Sequence, residues 1–304
     1  MRRSLYGRDT ELSVRMFIVM FLLAALYLAF VFVLYQAGLG YSTIIVIAAI
    51  LLAAQYYFSD KLVLLSLGAQ VVDEHQAPEL HAVVTRLSAM ADLPKPRVAI
   101  IRTDVPNALA TGRDPQHAVV AVTTGLMQRL DENELEGVLA HELTHIKNRD
   151  ATVITLASFF ATVAFFVMRS GFFLGMFGGG YGRRRDQNGG GLVLIYLASL
   201  IVWVISFFLI RALSRYREYA ADRGSAIITG APSTLASALM KISGQMARIP
   251  QRDLREVEGM NAFFIVPAAV GNSFTELLST HPSLEHRLAR LSRLQEQMEG
   301  LGPR

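Results

Sequence analysis

The sequence contains no cysteine. Disulfides, thiol catalysis and cysteine-ligated metal are thereby excluded, so a bound metal would have to be held by His, Asp or Glu. Charge is also scarce: 18% of the 304 residues are Asp, Glu, Lys or Arg, against 52% hydrophobic, and the mean hydropathy is +0.37. That mix is more apolar than an ordinary soluble protein and points to a membrane protein. Lysine is rare as well, with four (Lys61, Lys95, Lys147 and Lys241) among 29 basic residues, and the arginines are scattered rather than gathered in one tract. Neither a nucleic-acid module nor an internal repeat is visible. Basic residues beside apolar segments have a simpler role, holding a cytoplasmic side against anionic lipid.

What the chain has in abundance is apolar sequence, in four blocks. Arg2, Arg3, Arg8 and Arg15 precede an uncharged run from Met16 to Tyr35. Only its basic start resembles a signal peptide; the run is too long and lacks a convincing small-residue cleavage site, so an uncleaved span is expected. After a short Gly-containing turn, Gln36 to Tyr41, a second uncharged run from Ser42 to Phe58 completes a hairpin. Both its ends then lie on one side of the membrane, and the arginines before it, with Lys61 after it, place that side in the cytoplasm. A third run, Ala151 to Met168, and a fourth, Leu192 to Ile210, are each about long enough to cross a ~30 Å hydrocarbon core. None of the four contains Asp, Glu, Lys, Arg or His. The Gly-rich stretch Gly175 to Gly191 reads as a flexible loop. Its arginines, Arg183 to Arg185, work against the positive-inside tendency if both runs span, so a hairpin entering the membrane shallowly is the rival.

The polar stretches carry mixed structure. Pro78 to Ala91 predicts an amphipathic helix ended by Pro94 and Pro96, and Arg97 to Arg102 (RVAIIR) predicts a strand. His117 to Thr123 (HAVVAVT) predicts a second strand, and Glu132 to Asn148 a helix with Asp131 as N-cap. After Arg211 the chain is expected to be mostly helical, closing with an amphipathic helix from Ser283 to Met298. The expected division is an N-terminal hairpin (1–58), a first polar part (59–150), a second apolar hairpin (151–210) and a second polar part (211–304). The fold class is α+β, mostly helical, with about four transmembrane helices interleaved.

Within the Glu132 to Asn148 helix stands His141-Glu142-Leu143-Thr144-His145. Positions i and i+4 share a helix face, so both imidazoles can reach one metal ion. Glu142 projects beside that ion, where it can take a proton from water that zinc has acidified toward a pKa of about 7. The bland alternative is a chance grouping on a solvated helix, but Leu135, Val138 and Leu139 give this helix a buried side. Catalytic zinc takes three protein ligands, and the candidate third is Glu218 in Arg217-Glu218-Tyr219-Ala220-Ala221-Asp222. Asp222, one turn on, could accept the free ring N–H of a ligand histidine. Alternatively, Glu218 and Asp222 pair with Arg215, Arg217 or Arg223. His75, His81, His117 and His286 read as surface or structural residues.

The order of these features is specific: a membrane hairpin, Asn107 to Gly112 (NALATG), HELTH, two further apolar runs, E-x-x-A-D and a late Thr-His-Pro. It resembles the HtpX family of bacterial membrane proteases over essentially the whole chain; CAAX-prenyl proteases are more distant relatives. The resemblance implies a zincin-like metalloprotease domain holding one Zn2+ through His141, His145 and Glu218, with Glu142 as general base and Asp222 as a supporting carboxylate. It implies that Asn107, Ala108, Leu109 and Ala110 line a strand edge that holds extended substrate by backbone pairing. It also implies that His281 and Arg287 act near the substrate carbonyl. Leu109 stands where many relatives carry Phe, a change of packing rather than of chemistry.

The expected activity is peptide-bond hydrolysis at the cytoplasmic face of a bacterial inner membrane. The resemblance adds misfolded or damaged membrane proteins as substrates, in stress-linked quality control. Lipid and protein substrates are the expected partners, with no nucleic acid. A non-proteolytic scaffold in which zinc ties two helices is the alternative, disfavoured because a structural site needs no base. A metal transporter would need ionisable residues inside the spans, which are absent.

Overall fold

The computed structural model describes residues 9–37, 40–177, 189–246, 265 and 279–300. Helices dominate: α1 (Thr10–Gln36), α2 (Tyr41–Ser66), α3 (Pro78–Ala91), α4 (Thr124–Arg129), α5 (Glu132–Lys147), α6 (Asp150–Phe177), α7 (Gly189–Thr229), α8 (Pro232–Met246) and α9 (Leu284–Met298). The strands are β1 (Gln70–Val72), β2 (Arg97–Ile101), β3 (Ala108–Thr111) and β4 (Val119–Thr123). Contacts divide the chain into an apolar unit, Met1–Tyr56 with Ile154–Leu213, and a mixed unit, Tyr57–Val153 with Ser214–Arg304.

Three helices among the described residues are long and apolar enough to cross a membrane: Thr10–Gln36, Asp150–Arg169 and Val193–Thr229. Ile44–Tyr57 is a shorter apolar helix. A hydroxyl buried among such helices needs an internal acceptor, and Tyr27 Oη finds one in the Ala157 carbonyl at 2.5 Å. Helix reaches into both ends of the stretch Gly175 to Gly191 that reads as a loop in the sequence. α6 runs on to Phe177 and α7 already begins at Gly189; the flanking apolar residues carry the helices into glycines whose weak propensity matters little at helix ends. Arg183 to Arg185 lie outside the described residues.

The mixed unit is built on a sheet of order β1-β2-β4-β3. β1 is antiparallel to β2, β2 parallel to β4, and β3 antiparallel to β4 with Ala110 opposite Val120. β4 is buried on both faces, and its alternating side chains serve two cores. Val120 and Val122 pack with Leu87 from α3 and with Val138, Leu139 and Leu143 from α5. Val119 and Ala121 pack on the other face with Ile101 and Leu109, covered by Val63, Leu64 and Leu67 at the end of α2.

Boundaries moved where side-chain capping competes with strand propensity. His117 belongs to a 3-10 turn, Pro115–His117, because the Asp114 side chain accepts the His117 N–H, so β4 starts only at Val119. The short strand β1 carries no period-2 signal in three residues and goes unseen in the sequence.

Candidate metal centre

α5 is placed firmly at its N-terminus. Asp131 and Glu134 form a capping box, and Glu134 is further held by Ser237 Oγ and Lys241 Nζ of α8, each at 2.6 Å. One turn on, Gly137 lets α8 approach: a Cβ there would lie 2.9 Å from the Leu235 backbone nitrogen. Beyond Gly137 the apolar stripe Val138, Leu139 and Leu143 faces the core, and His141 and Glu142 are buried, at 1% and 4% exposure.

α7 crosses α5 at equally close range. A Cβ on Gly224 would sit 2.2 Å from Thr144 Cγ2 and 2.9 Å from Thr144 Cβ. This contact brings Glu218 over the two histidines. His141 Nε2 and His145 Nε2 are 3.1 Å apart, and the Glu218 carboxylate oxygens lie 3.6 and 3.5 Å from them. Ligand atoms around a tetrahedral zinc at 2.0–2.1 Å are themselves about 3.3 Å apart, so the triangle has the size such an ion requires.

The hydrogen-bonding pattern makes the same demand. His141 Nδ1 lies 3.0 Å from Asp222 Oδ1 and His145 Nδ1 lies 2.6 Å from Asp150 Oδ2. With both Nδ1 atoms turned to carboxylates, both Nε2 lone pairs are aimed at the same small volume, where only a cation or a proton can reconcile them. Glu218 Oε2 is buried there without a hydrogen bond. His141, His145 and Glu218 can therefore hold a metal ion.

Without metal, a proton takes over part of that task. Burial opposes charge on His141, but the Asp222 and Glu218 carboxylates beside it outweigh burial and push the imidazolium pKa up to about 9. Burial, reinforced by the charge of His141, lowers that of His145. Burial raises that of Glu142, whose carboxylate also accepts the backbone N–H of Ala110.

The remaining predicted residues divide by contact. Arg287, 1% exposed, grips Asp222 with two bonds, Nε to Oδ2 at 2.9 Å and an Nη to Oδ1 at 2.6 Å. Its other Nη donates to the Ile265 carbonyl at 2.6 Å and lies 3.5 Å from Glu218. His281 is buried with Nδ1 3.3 Å from Glu218 Oε2. Asn107 is buried and faces inward, its Oδ1 accepting the Ile265 N–H at 3.0 Å. The Thr123 N–H donates to the Asn107 carbonyl, which sets the antiparallel register so that Ala108 and Ala110 turn their peptide groups away from β4, on the outer edge of the sheet. Leu109 packs beneath the sheet. Of the four other histidines, His81 is buried with Nε2 3.1 Å from the Val72 carbonyl, and His117 pairs with Asp114.

Sequence reasoning missed Asp150 and Arg217. It read Arg217 as a possible partner of Glu218, whereas the guanidinium is paired with Asp150. Only the aspartate five residues past His145 could have hinted at this.

One consequence is sharply testable. Gly224→Ala puts a methyl group into the β-branched side chain of Thr144, which no rotamer change clears, so α7 must shift from α5. We expect a loss of about 1–3 kcal/mol and weaker metal binding, seen as a lower melting temperature and lower zinc content. Gly244→Ala, with open space around its Cβ, should be neutral or slightly stabilising.

A profile described as Peptidase family M48 matches residues 74–295, which bracket every residue of this centre. The chain belongs to peptidase family M48. Within M48 it is 66% identical over 300 residues to the Protease HtpX homolog of Moorella thermoacetica, covering 98% of this chain and 99% of that one. It is 57% identical to Protease HtpX homolog 2 of Methanosarcina mazei, over 96% and 98% of the two chains. Among solved structures, S. mikatae Ste24p matches with a TM-score of 0.53 at 17% identity, over 92% of this chain and 66% of that one, a likeness of fold. This M48 chain is accordingly a membrane metallopeptidase of the HtpX family, acting on protein substrates and in contact with lipid.

Proposed function

We propose that the protein is a zinc endopeptidase that hydrolyses misfolded or damaged membrane proteins at the cytoplasmic face of a bacterial inner membrane. The observation that carries the reading is the convergence of both Nε2 atoms and the Glu218 carboxylate, with Glu142 on the same helix and hydrogen-bonded to the sheet-edge residue Ala110. Zinc bound there supplies a Lewis acid for the scissile carbonyl and lowers the pKa of the attacking water.

Glu142 is the group that would take a proton from the attacking water and deliver it to the leaving amine, and burial raises its proton affinity. The outward edge of β3 at Ala108 and Ala110 suits an extended substrate held by backbone pairing. Such pairing reads main chain rather than side chains, which supports a role on unfolded segments of varied sequence. His281, with Nδ1 3.3 Å from Glu218 Oε2, is assigned to act near the substrate carbonyl. Arg287 is committed to Asp222 and Ile265, and so is assigned to bracing Asp222. Arg2, Arg3, Arg8, Arg15 and Lys61 around the first hairpin support the cytoplasmic orientation.

The test is cleavage of casein by the detergent-purified chain, treated with a chelator and then resupplied with zinc. Activity should vanish with the chelator and return with zinc. Bound zinc without cleavage in any detergent or lipid would favour a scaffold in which the metal ties α5 to α7.

A further inference from the structure

We propose that Asp150 and Arg217 are positioning residues for the metal centre, Asp150 orienting the imidazole of His145 and Arg217 holding Asp150 in place. The inference rests on the reading of His141, His145 and Glu218 as metal ligands and adds to it two residues that touch neither metal nor substrate.

The local geometry begins at the end of α5. Asn148 caps that helix, and Arg149 adopts a left-handed conformation, φ 55°, which reverses the chain so that Asp150 returns beside His145. Asp150 Oδ2 lies 2.6 Å from His145 Nδ1, while Oδ1 is paired with Arg217. The same Arg217 Nη donates to the Asn148 carbonyl at 3.0 Å. One guanidinium thus holds both the cap of α5 and the carboxylate two residues on, keeping the turn closed. Asp150 and Arg217 are both buried, at 8% and 5% exposure, so neither charge is at ease without the other.

A histidine that binds metal through Nε2 must carry its proton on Nδ1, and a fixed carboxylate beside Nδ1 sets both the tautomer and the plane of the ring. His141 has such an arrangement in Asp222 backed by Arg287. His145 has it in Asp150 backed by Arg217. The two histidines therefore carry parallel His–Asp–Arg relays. The second has a distinct placement: Asp150 opens α6 and Arg217 lies on α7, the two helices that continue into the apolar unit.

The test is zinc affinity, measured on the full-length detergent-purified protein by competition with a chromophoric chelator, alongside melting curves of the zinc-free forms. Asp150→Ala should weaken zinc binding about 10–100-fold and Arg217→Met about tenfold. Asp150→Asn retains an oxygen that can accept the Nδ1 proton, so it should recover much of the loss, to within about fivefold of wild type. If Asp150 served merely as a counter-charge for Arg217, Asn would be no better than Ala. Zinc affinity of Asp150→Ala within about twofold of wild type overturns the proposal. So does equal weakening by Asn and Ala with equally lowered zinc-free melting. Should Asp150→Ala fail to fold, Asp150→Asn against Arg217→Lys carries the comparison. A wild-type protein that takes up no zinc would instead remove the ligand reading beneath, a different result from variants that match a zinc-binding wild type.

Discussion

Replacing Glu142 with Gln should lower kcat by about 10²–10⁴-fold while leaving the zinc content at one per chain. The amide has the shape of the carboxylate and can still accept the Ala110 N–H that Glu142 accepts, so the packing of this buried position should survive. What it cannot do is take a proton from water. The measurement is a turnover assay on casein beside metal analysis of the same preparation. Loss of activity with retained zinc separates the base from the metal site; undiminished cleavage in a preparation free of contaminating protease would remove Glu142 from the mechanism.

The second large effect is expected at Arg287, which lies outside the HELTH motif altogether. Its guanidinium satisfies both oxygens of Asp222 and the carbonyl of Ile265, and all of these are buried. Arg287→Ala strands the Asp222 carboxylate, 1% exposed, without its guanidinium partner. Breaking a buried pair from one side costs about 3–5 kcal/mol, and a fall in melting temperature on the order of 10 °C should follow. Because Asp222 also lies against His141 Nδ1, zinc affinity should drop with it. Arg287→Lys keeps the charge but lacks the planar fork that spans two oxygens, so it should rescue only part of the loss. Arg86, half exposed and paired with Glu136 on the surface, is the contrast: Arg86→Ala should cost no more than about 1 kcal/mol. Equal melting of Arg287→Ala and Arg86→Ala would contradict the role given to the buried pair.

Much of the architecture was legible because it is local. The helix Pro78 to Ala91 has the same limits in sequence and structure, since proline at its start and prolines beyond its end act within a turn of where they stand. Asp131 as N-cap could be read in the same way, because a capping box needs only four consecutive residues. Strand β4 was visible but not its start, because Asp114 caps a turn at His117. Helix extends into both ends of the stretch Gly175 to Gly191 because glycine weakens a helix without forbidding it.

The sequence by itself determined the membrane class, through uncharged runs of spanning length, and the pairing of His141 with His145, through a spacing that matches one helical turn. Both are properties of a single segment and need no partner. Tertiary structure alone decided how the rest of the centre meets. Arg287 is 65 residues from Asp222, Arg217 is 69 from Asn148, and Asn107 is 158 from Ile265; no periodicity relates positions so far apart. The HELTH histidines and Glu218 in turn meet where α5 and α7 cross, with Gly224 packed against Thr144. Which carboxylate serves which imidazole follows from that crossing and from the left-handed turn at Arg149, because a hydrogen bond depends on where the elements meet in space, and packing of distant elements sets that.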